Sequence, residues 1–266
     1  MDDRYQLYLG DCLEIMRDIP DGSVDMVLCD PPYGTTHCNF DTVIPFEPMW
    51  AEYDRIVKQS GAILLFSAQP FTTDLICSNR KNFRYEIIYE KTVATGFLNA
   101  KKAPLRVHEN ICVFYRSQPT YNPQKMKIDN ARCHTRKNNM ELARESQQYG
   151  EYRKPDWQYT DDGTRYPRDI IRASNWNGVA FGKHLRNGKH PTKKPVPLLE
   201  QLILTYTDPG ETVLDNCMGS GTTGVACINT GRRFIGVEKD QEYFELAKES
   251  IEAAAAQGRL EEFLTT

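Results

Sequence analysis

A chain of 266 residues with 40% hydrophobic and 26% charged residues has the balance of a globular protein, long enough for one large α/β domain with or without an insertion. No apolar run approaches the ~20 residues that cross a bilayer, and the eight cysteines form no CxxC pair, which argues against a helical membrane protein, a disulfide framework and a zinc site. The net charge of −3 hides an asymmetry: residues 121–190 hold fourteen Lys/Arg against eight Asp/Glu, and the remainder 19 against 28.

Tyr5 to Leu9 reads as a strand ended by Gly10-Asp11, and Cys12 to Ile19 as a helix with Leu13 and Met16 inward. The next apolar run, Val24 to Cys29, closes abruptly in Asp30-Pro31-Pro32-Tyr33. Six residues rich in Val, Met and Leu predict a buried strand, and two prolines without N–H groups must stop its pairing. The carboxyl end of that strand then carries a carboxylate, prolyl carbonyls of fixed direction and an aromatic ring. Acceptors without nearby donors, beside a stacking face, suit a flat substrate with an exocyclic amino group; a stiff turn is the plainer alternative. Gly34 to Asp41 is a polar loop. A helix over Phe46–Val57, a strand over Ala62–Phe66 and a helix from Pro70 to about Cys77 follow. Tyr85–Tyr89 and Ile111–Tyr115 are two more strands. The long loop expected between them, Thr92 to Glu109, carries Asn99, Lys101, Lys102, Arg106 and His108 and should lie near the same sheet edge.

From Thr120 the periodicity fades. The block 121–190 interleaves Lys/Arg, among them Arg165, Arg168 and Arg172, with eight aromatics including Trp176. That mixture suits a surface that neutralises phosphates and stacks on bases; a solvated linker is the alternative. Regular order returns with a helix over Pro197–Tyr206, a strand over Thr212–Asp215, the turn Gly219-Ser220-Gly221-Thr222-Thr223, a helix from about Thr222 to Thr230, a strand over Arg233–Glu238 and a helix from Gln241 to about Ala256.

Strand, glycine turn, helix, strand and acidic residue make a nucleotide-binding βαβ plan. Glu238 follows Gly219 by 19 residues, the spacing of a ribose-binding carboxylate. The Gly-Lys-Ser/Thr ending of a phosphate loop is missing and Gly224 is misplaced for a dinucleotide turn, so the expected ligand carries a ribose and needs no pyrophosphate pocket.

With DPPYGTT at 30–36, FLNAKKAPLRVHEN at 97–110, HPTKKPVPLLEQLI at 190–203 and DNCMGSGTTGVA at 215–226, the chain resembles the amino-directed DNA methyltransferases whose Asp-Pro-Pro-Tyr motif precedes the glycine motif, of phage and bacterial type. The resemblance implies a Rossmann-like S-adenosylmethionine-dependent fold with a mostly parallel seven-stranded sheet and a circularly permuted motif order. It implies a catalytic domain at 1–120 and 191–266, with 121–190 an inserted target-recognition region. Asp30, Pro31, Pro32 and Tyr33 would be catalytic. Asp215 and Gly219 to Thr223 would hold the methionine part of the cofactor, Glu238 the ribose and Asp11 the adenine, with Asp30 and Cys217 also against the cofactor and the segment from Lys193 to Leu198, Lys193 and Pro195 within it, closing the pocket. Asn99, Lys101, Lys102, Arg106, His108, Arg165, Arg168, Arg172 and Trp176 would face DNA. Where the family usually reads Asp-Pro-Phe, this chain reads Asp215-Asn216-Cys217.

The implied reaction is methyl transfer to the N6 amine of a flipped-out adenine, leaving S-adenosylhomocysteine, with N4 of cytosine as the alternative and no metal. Carbon-5 cytosine methylation needs a nucleophilic cysteine after a proline, and the chain has no Pro-Cys dipeptide. A non-enzymatic DNA-binding module would predict a damaged motif, and both motifs are whole. The acidic start MDDRYQLYLGD, without the apolar stretch of a signal peptide, leads to the expectation of a cytoplasmic protein, of a bacterial cell or phage-infected host, and the resemblance implies a homodimer as one assembly.

Overall fold

A computed structural model describes residues 2–35, 41–127, 135–137, 158–160, 163–175 and 193–265, with side chains described to residue 258 and only the backbone at 135–137 and 158–160. In chain order the elements are β1 (Tyr5–Leu9), α1 (Cys12–Met16), β2 (Val24–Cys29), α2 (Phe46–Ile56), β3 (Val57–Ser67), α3 (Phe71–Ser78), β4 (Phe83–Thr95) and β5 (Arg106–Phe114). There follow β6 (Met126–Lys127), β7 (Thr135–Lys137), β8 (Gln158–Thr160), β9 (Thr164–Arg165) and β10 (Ile170–Ala173), then α4 (Val196–Tyr206), β11 (Thr212–Asp215), α5 (Thr222–Asn229), β12 (Arg233–Glu238) and α6 (Gln241–Thr265).

Eight strands form the main sheet in the order β1-β12-β11-β2-β3-β5-β4-β10. Pairing is parallel from β1 through β3, antiparallel on both sides of β5, and parallel again between β4 and β10. The fold is the expected α/β one with a mostly parallel sheet, but it carries one strand more than the seven expected. The extra strand is β10, four residues of a stretch with no periodicity to announce it.

The sheet is covered on both faces, which explains why β2 is apolar at successive positions rather than alternating. Met26 and Leu28 pack with α4, α5 and α6, through residues such as Leu199, Leu202, Cys227 and Ile251. Val24, Val27 and Cys29 pack on the other face with Met16 of α1, Met49, Trp50 and Tyr53 of α2, and Phe71 and Leu75 of α3. Asp25 is the buried exception on this strand. Its carboxylate takes Lys58 Nζ at 2.6 Å and the Thr212 N–H at 3.0 Å, and so ties the starts of β3 and β11 to β2.

The chain divides into two compact units, Met1–Asn122 with Asp169–Thr266, and Pro123–Arg168. The second contains two short antiparallel pairs, β6 with β9 and β7 with β8, and Lys125 Nζ lies 5.0 Å from the Tyr166 ring centroid. The sequence groups residues 121–190 as one block, whereas Ile170–Ala173 is hydrogen-bonded into the main sheet along Ile88–Lys91.

Candidate active site

Strands β2 and β11 are parallel neighbours, so their carboxyl ends emerge side by side. From β2 the chain goes on to β3 on one side, while β11 and β12 lie on the other. This is the switch point at which open α/β sheets hold ligands. A cavity of about 620 Å³ opens there. Its wall includes Asp11, Asp30, Pro31, Pro32, Tyr33, Lys193, Asp215, Cys217, Gly219, Ser220, Thr222, Thr223 and Glu238. The motif ending β2 and the glycine turn after β11 thus face one space. Gly221 and Pro195 stand outside its lining, and both act on the backbone. Pro195 is the N-cap residue of α4. Gly221 has φ 77°, and a Cβ there would come within 2.8 Å of Ala247 Cα on α6, so the turn sits against that helix only with glycine.

On the glycine side each acid is fastened to its own loop. Asp215 accepts the Cys217 N–H at 3.1 Å and the Thr223 hydroxyl at 2.6 Å. Burial pushes its carboxyl up to about 6, although both donors pull it down. Glu238 accepts the N–H groups of Gly219 at 2.8 Å and of Lys239 and Asp240 at 2.9 Å. Burial raises its carboxyl as well, against those three donors. Asp11 caps α1 by accepting the Leu13 N–H at 2.9 Å and meets Lys239 Nζ at 3.3 Å. Asn216 and Cys217 replace the usual Pro-Phe. The buried Asn216 accepts the Tyr53 hydroxyl at 2.6 Å and so anchors the turn to α2.

The side of the cavity at the end of β2 is built from side-chain charges. Asp30 is not the donor-free acceptor that its sequence neighbourhood suggests. Its Oδ1 accepts the Tyr33 hydroxyl at 2.6 Å and its Oδ2 accepts Lys194 Nζ. Burial, with the Asp30 and Glu109 carboxylates, raises the Tyr33 phenol well above its ordinary value, so it remains a donor. The Tyr33 ring stacks on Phe71, with centroids 5.2 Å apart and planes at 24°. Lys194 also lies 3.2 Å from Glu109 Oε2, and Glu109 Oε1 pairs with Lys91. Burial opposes the charge on Lys194, and Asp30 and Glu109 outweigh it, so its ammonium titrates above the ordinary lysine range. Burial likewise opposes the Glu109 carboxylate, and Lys194 and Lys91 bring it below its ordinary value.

Lys194 and Glu109 both line the cavity. Lys194 falls within the segment expected to close the pocket but was given no role of its own, and Glu109 was not among the predicted site residues. Both lysines of HPTKKP line the cavity, and it is Lys194 that reaches Asp30. Glu109 was placed at the end of a loop. It belongs instead to β5, which starts at Arg106 and runs four residues past the last pairing of β3, Ser67 with Asn110. At 3.3–3.4 Å per residue, the β4–β5 hairpin overhangs the end of β3 by roughly 13 Å, with β10 alongside β4 as far as Lys91. Asn99, Lys101, Lys102, Arg106 and His108 are all exposed on this overhang and do not line the cavity. Arg172 is exposed on β10, Arg165 and Arg168 belong to the separate unit, and Trp176 lies outside the described residues.

The thiols that line the cavity, Cys12 and Cys217, are poor nucleophiles. A hydrogen bond with Cys217, with burial, raises Cys12 far above its usual value; against the lowering pull of its bond with Cys12, a hydrogen bond with Cys29, with burial, raises Cys217 well above its own. Among the described residues no group of acids, histidines and cysteines is arranged to hold a metal ion.

Three comparisons bear on this geometry. The family model for N6- and N4-directed enzymes, described as DNA methylase, matches residues 24–249. DNA adenine methyltransferase YhdJ of Escherichia coli is 27% identical over 263 residues, covering 92% of this chain and 82% of that protein. The M1.HpyAVI–SAM complex superimposes with a TM-score of 0.60 at 26% identity, covering 93% of this chain and 98% of the other. PvuII DNA methyltransferase, cytosine-N4-specific, reaches 0.64 at 15% identity over 96% and 92%, a likeness of fold alone.

Proposed function

The chain belongs to the N6/N4 DNA methylase family, and on that premise we propose that it transfers a methyl group from S-adenosylmethionine to the exocyclic N6 amine of adenine in DNA. The observation that carries the reading is the single cavity shared by Asp30 and the glycine turn. The 27% identity to a DNA adenine methyltransferase favours adenine over cytosine. The fold does not choose between them.

The lining suits the cofactor. Seven carboxylates, among them Asp11, Asp215 and Glu238, line the cavity against three lysines, Lys193, Lys194 and Lys239, and its apolar walls include Ile44, Phe66 and Leu199. That combination fits a cationic ligand with a ribose and a flat base. When bound, S-adenosylmethionine supplies an electrophilic methyl group. In this reading Asp215, Cys217 and the turn from Gly219 to Thr223 hold its amino-acid end, Glu238 takes the ribose hydroxyls and Asp11 the adenine. Lys193 and Pro195 close the cavity in front of α4.

The amine of adenine is a weak nucleophile because its lone pair is delocalised into the ring. Hydrogen bonds from that NH2 to the Asp30 carboxylate and the Pro31 carbonyl localise the pair. They also stabilise the positive charge that grows on nitrogen as the bond forms. Pro32 fixes the direction of the carbonyl before it. Tyr33 holds Asp30 through its hydroxyl and offers a ring edge to the base. The remaining contribution is alignment of the two reactants. No covalent enzyme intermediate is needed, in keeping with thiols held protonated.

A base inside a duplex cannot reach this cavity, so it must be extruded at a cost of a few kcal/mol. Phosphate contacts from Lys101, Lys102, Arg106 and His108 on the overhanging hairpin, with Asn99 beside them, offset that cost. Arg165, Arg168, Arg172 and Trp176 complete the DNA-facing set, with 121–190 as the target-recognition region. The reading includes a cytoplasmic homodimer, the assembly being open to analytical ultracentrifugation. Among the described residues no helix is long and apolar enough to cross a membrane. The test is to incubate the protein with labelled S-adenosylmethionine and DNA and to identify the product nucleoside by mass spectrometry. N6-methyladenine is expected. N4-methylcytosine would reassign the base, and no labelled nucleoside would overturn the reading.

A further inference from the structure

Lys194 stands where the target amine has to go. Its Nζ is bonded to Asp30 Oδ2, lies 3.2 Å from Glu109 Oε2 and rests 4.9 Å from the centroid of the Phe66 ring. The side chain is only 11% exposed. Together with Lys91 these groups form an alternating row: Asp30, Lys194, Glu109, Lys91. The two ends of the Lys194 contact are unequal. Asp30 already holds the Tyr33 hydroxyl on its other oxygen. Glu109 Oε2 is buried and, among the described residues, has no well-formed hydrogen bond; Lys194 Nζ meets it as an ion contact at 3.2 Å. A buried carboxylate oxygen left in that state has capacity for one more donor.

Resting on the methylase reading, we propose that Lys194 is a placeholder for the target base: its ammonium occupies the seat of the N6 amine on Asp30 in the absence of DNA, and moves onto Glu109 Oε2 when the base enters. The motion is short, since Nζ already touches both acids, and no bond is made or broken except hydrogen bonds. Electrostatics favours it. An ammonium left on Asp30 would sit about 4 Å from a nitrogen gaining positive charge. For a full unit charge at an effective dielectric of about 20 that repulsion would reach roughly a thousand-fold in rate, and the move onto Glu109 relieves part of it. The resting contact also spares Asp30 and Glu109 from facing each other as uncompensated acids.

A double-variant cycle tests this, on duplexes carrying a site first mapped by sequencing methylated DNA. Glu109→Gln removes the charge that receives Lys194, and its single-turnover rate is expected to fall about 100-fold. Adding Lys194→Met to Glu109→Gln should recover at least 10-fold of that loss, because nothing then competes for Asp30. Lys194→Met alone, with S-adenosylhomocysteine present, should tighten binding of a duplex with adenine at the target several-fold and leave a duplex with an abasic target site unchanged. Cofactor affinity by calorimetry checks that each variant is folded. A double variant no faster than Glu109→Gln, or equal tightening on both duplexes, would overturn the placeholder and make Lys194 a fixed anchor of Asp30. Absence of DNA methylation by the wild-type protein would instead remove the methylase reading itself.

Discussion

The two halves of the cavity are made of different material. On the glycine side, Asp215 and Glu238 are fixed mainly by backbone N–H groups of their own turns, from Cys217, Gly219, Lys239 and Asp240. On the target side, Asp30, Lys194, Glu109 and Lys91 hold one another through side chains drawn from β2, the approach to α4, β5 and β4. Backbone donors cannot be withdrawn without unfolding a turn, whereas a side-chain cation held between two acids can pass from one to the other without being left unpaired. One half is therefore suited to a ligand that always looks the same, the other to a guest that must come and go.

The sharpest break in that contrast is Asp30→Ala. Removing the acceptor where charge develops should lower methyl transfer by about a thousand-fold or more, while cofactor affinity stays within a few-fold. Equal losses in both would merge the two halves into one functional unit. Next in size is Gly221→Ala, which acts on the rigid half through packing. The new Cβ meets Ala247 at a φ of 77°, so a stability loss of about 2–4 kcal/mol is expected by thermal denaturation, with cofactor binding lost alongside. An unchanged melting temperature would show the turn free to yield.

Asp215→Asn sharpens the comparison from the other direction. A carboxyl raised from 3.8 to about 6 contributes stability that is present below 3.8 and lost as pH rises through 6. The amide removes that loss. The cofactor-free variant should thus melt several degrees higher than wild type at pH 8, by about 2 kcal/mol, with the gap closing near pH 4. Its cofactor affinity should fall about tenfold. A variant less stable at pH 8 would contradict the burial argument. The smallest effect belongs to the overhang. Lys102→Ala should weaken DNA binding uniformly across sequences and reduce the slope of log affinity against log salt by about one, read by fluorescence anisotropy.

The rigid half was readable from the sequence because its parts are local. Glu238 follows Gly219 by 19 residues and bonds to it directly, so spacing alone nominated both. The run from Val24 to Cys29 was equally plain, since apolar residues at successive positions closed by two prolines leave few alternatives to a buried strand. The target half was only partly readable. Lys194 and Asp30 lie 164 residues apart, and nothing in HPTKKP tells which lysine reaches Asp30. Arg106 to Glu109 read as loop because their polarity matches no core-facing pattern, yet Glu109, His108 and Arg106 pair with Tyr89, Glu90 and Thr95 of β4 and are held as strand. Strand β10 escaped for the same reason: the partner that makes it a strand is β4, about eighty residues earlier.

One consequence follows from the way β2 and β11 meet. The seam joining them is a hydrogen-bonded ladder and not a peptide connection, and Arg4 at the head of β1 donates to the Ala255 carbonyl on α6 at 3.0 Å. A gene re-cut to begin ahead of α4, with a short bridge from α6 back to β1, would deliver the same side chains to the same cavity. Which motif the ribosome makes first is then a matter of history, free to drift while the chemistry stays put.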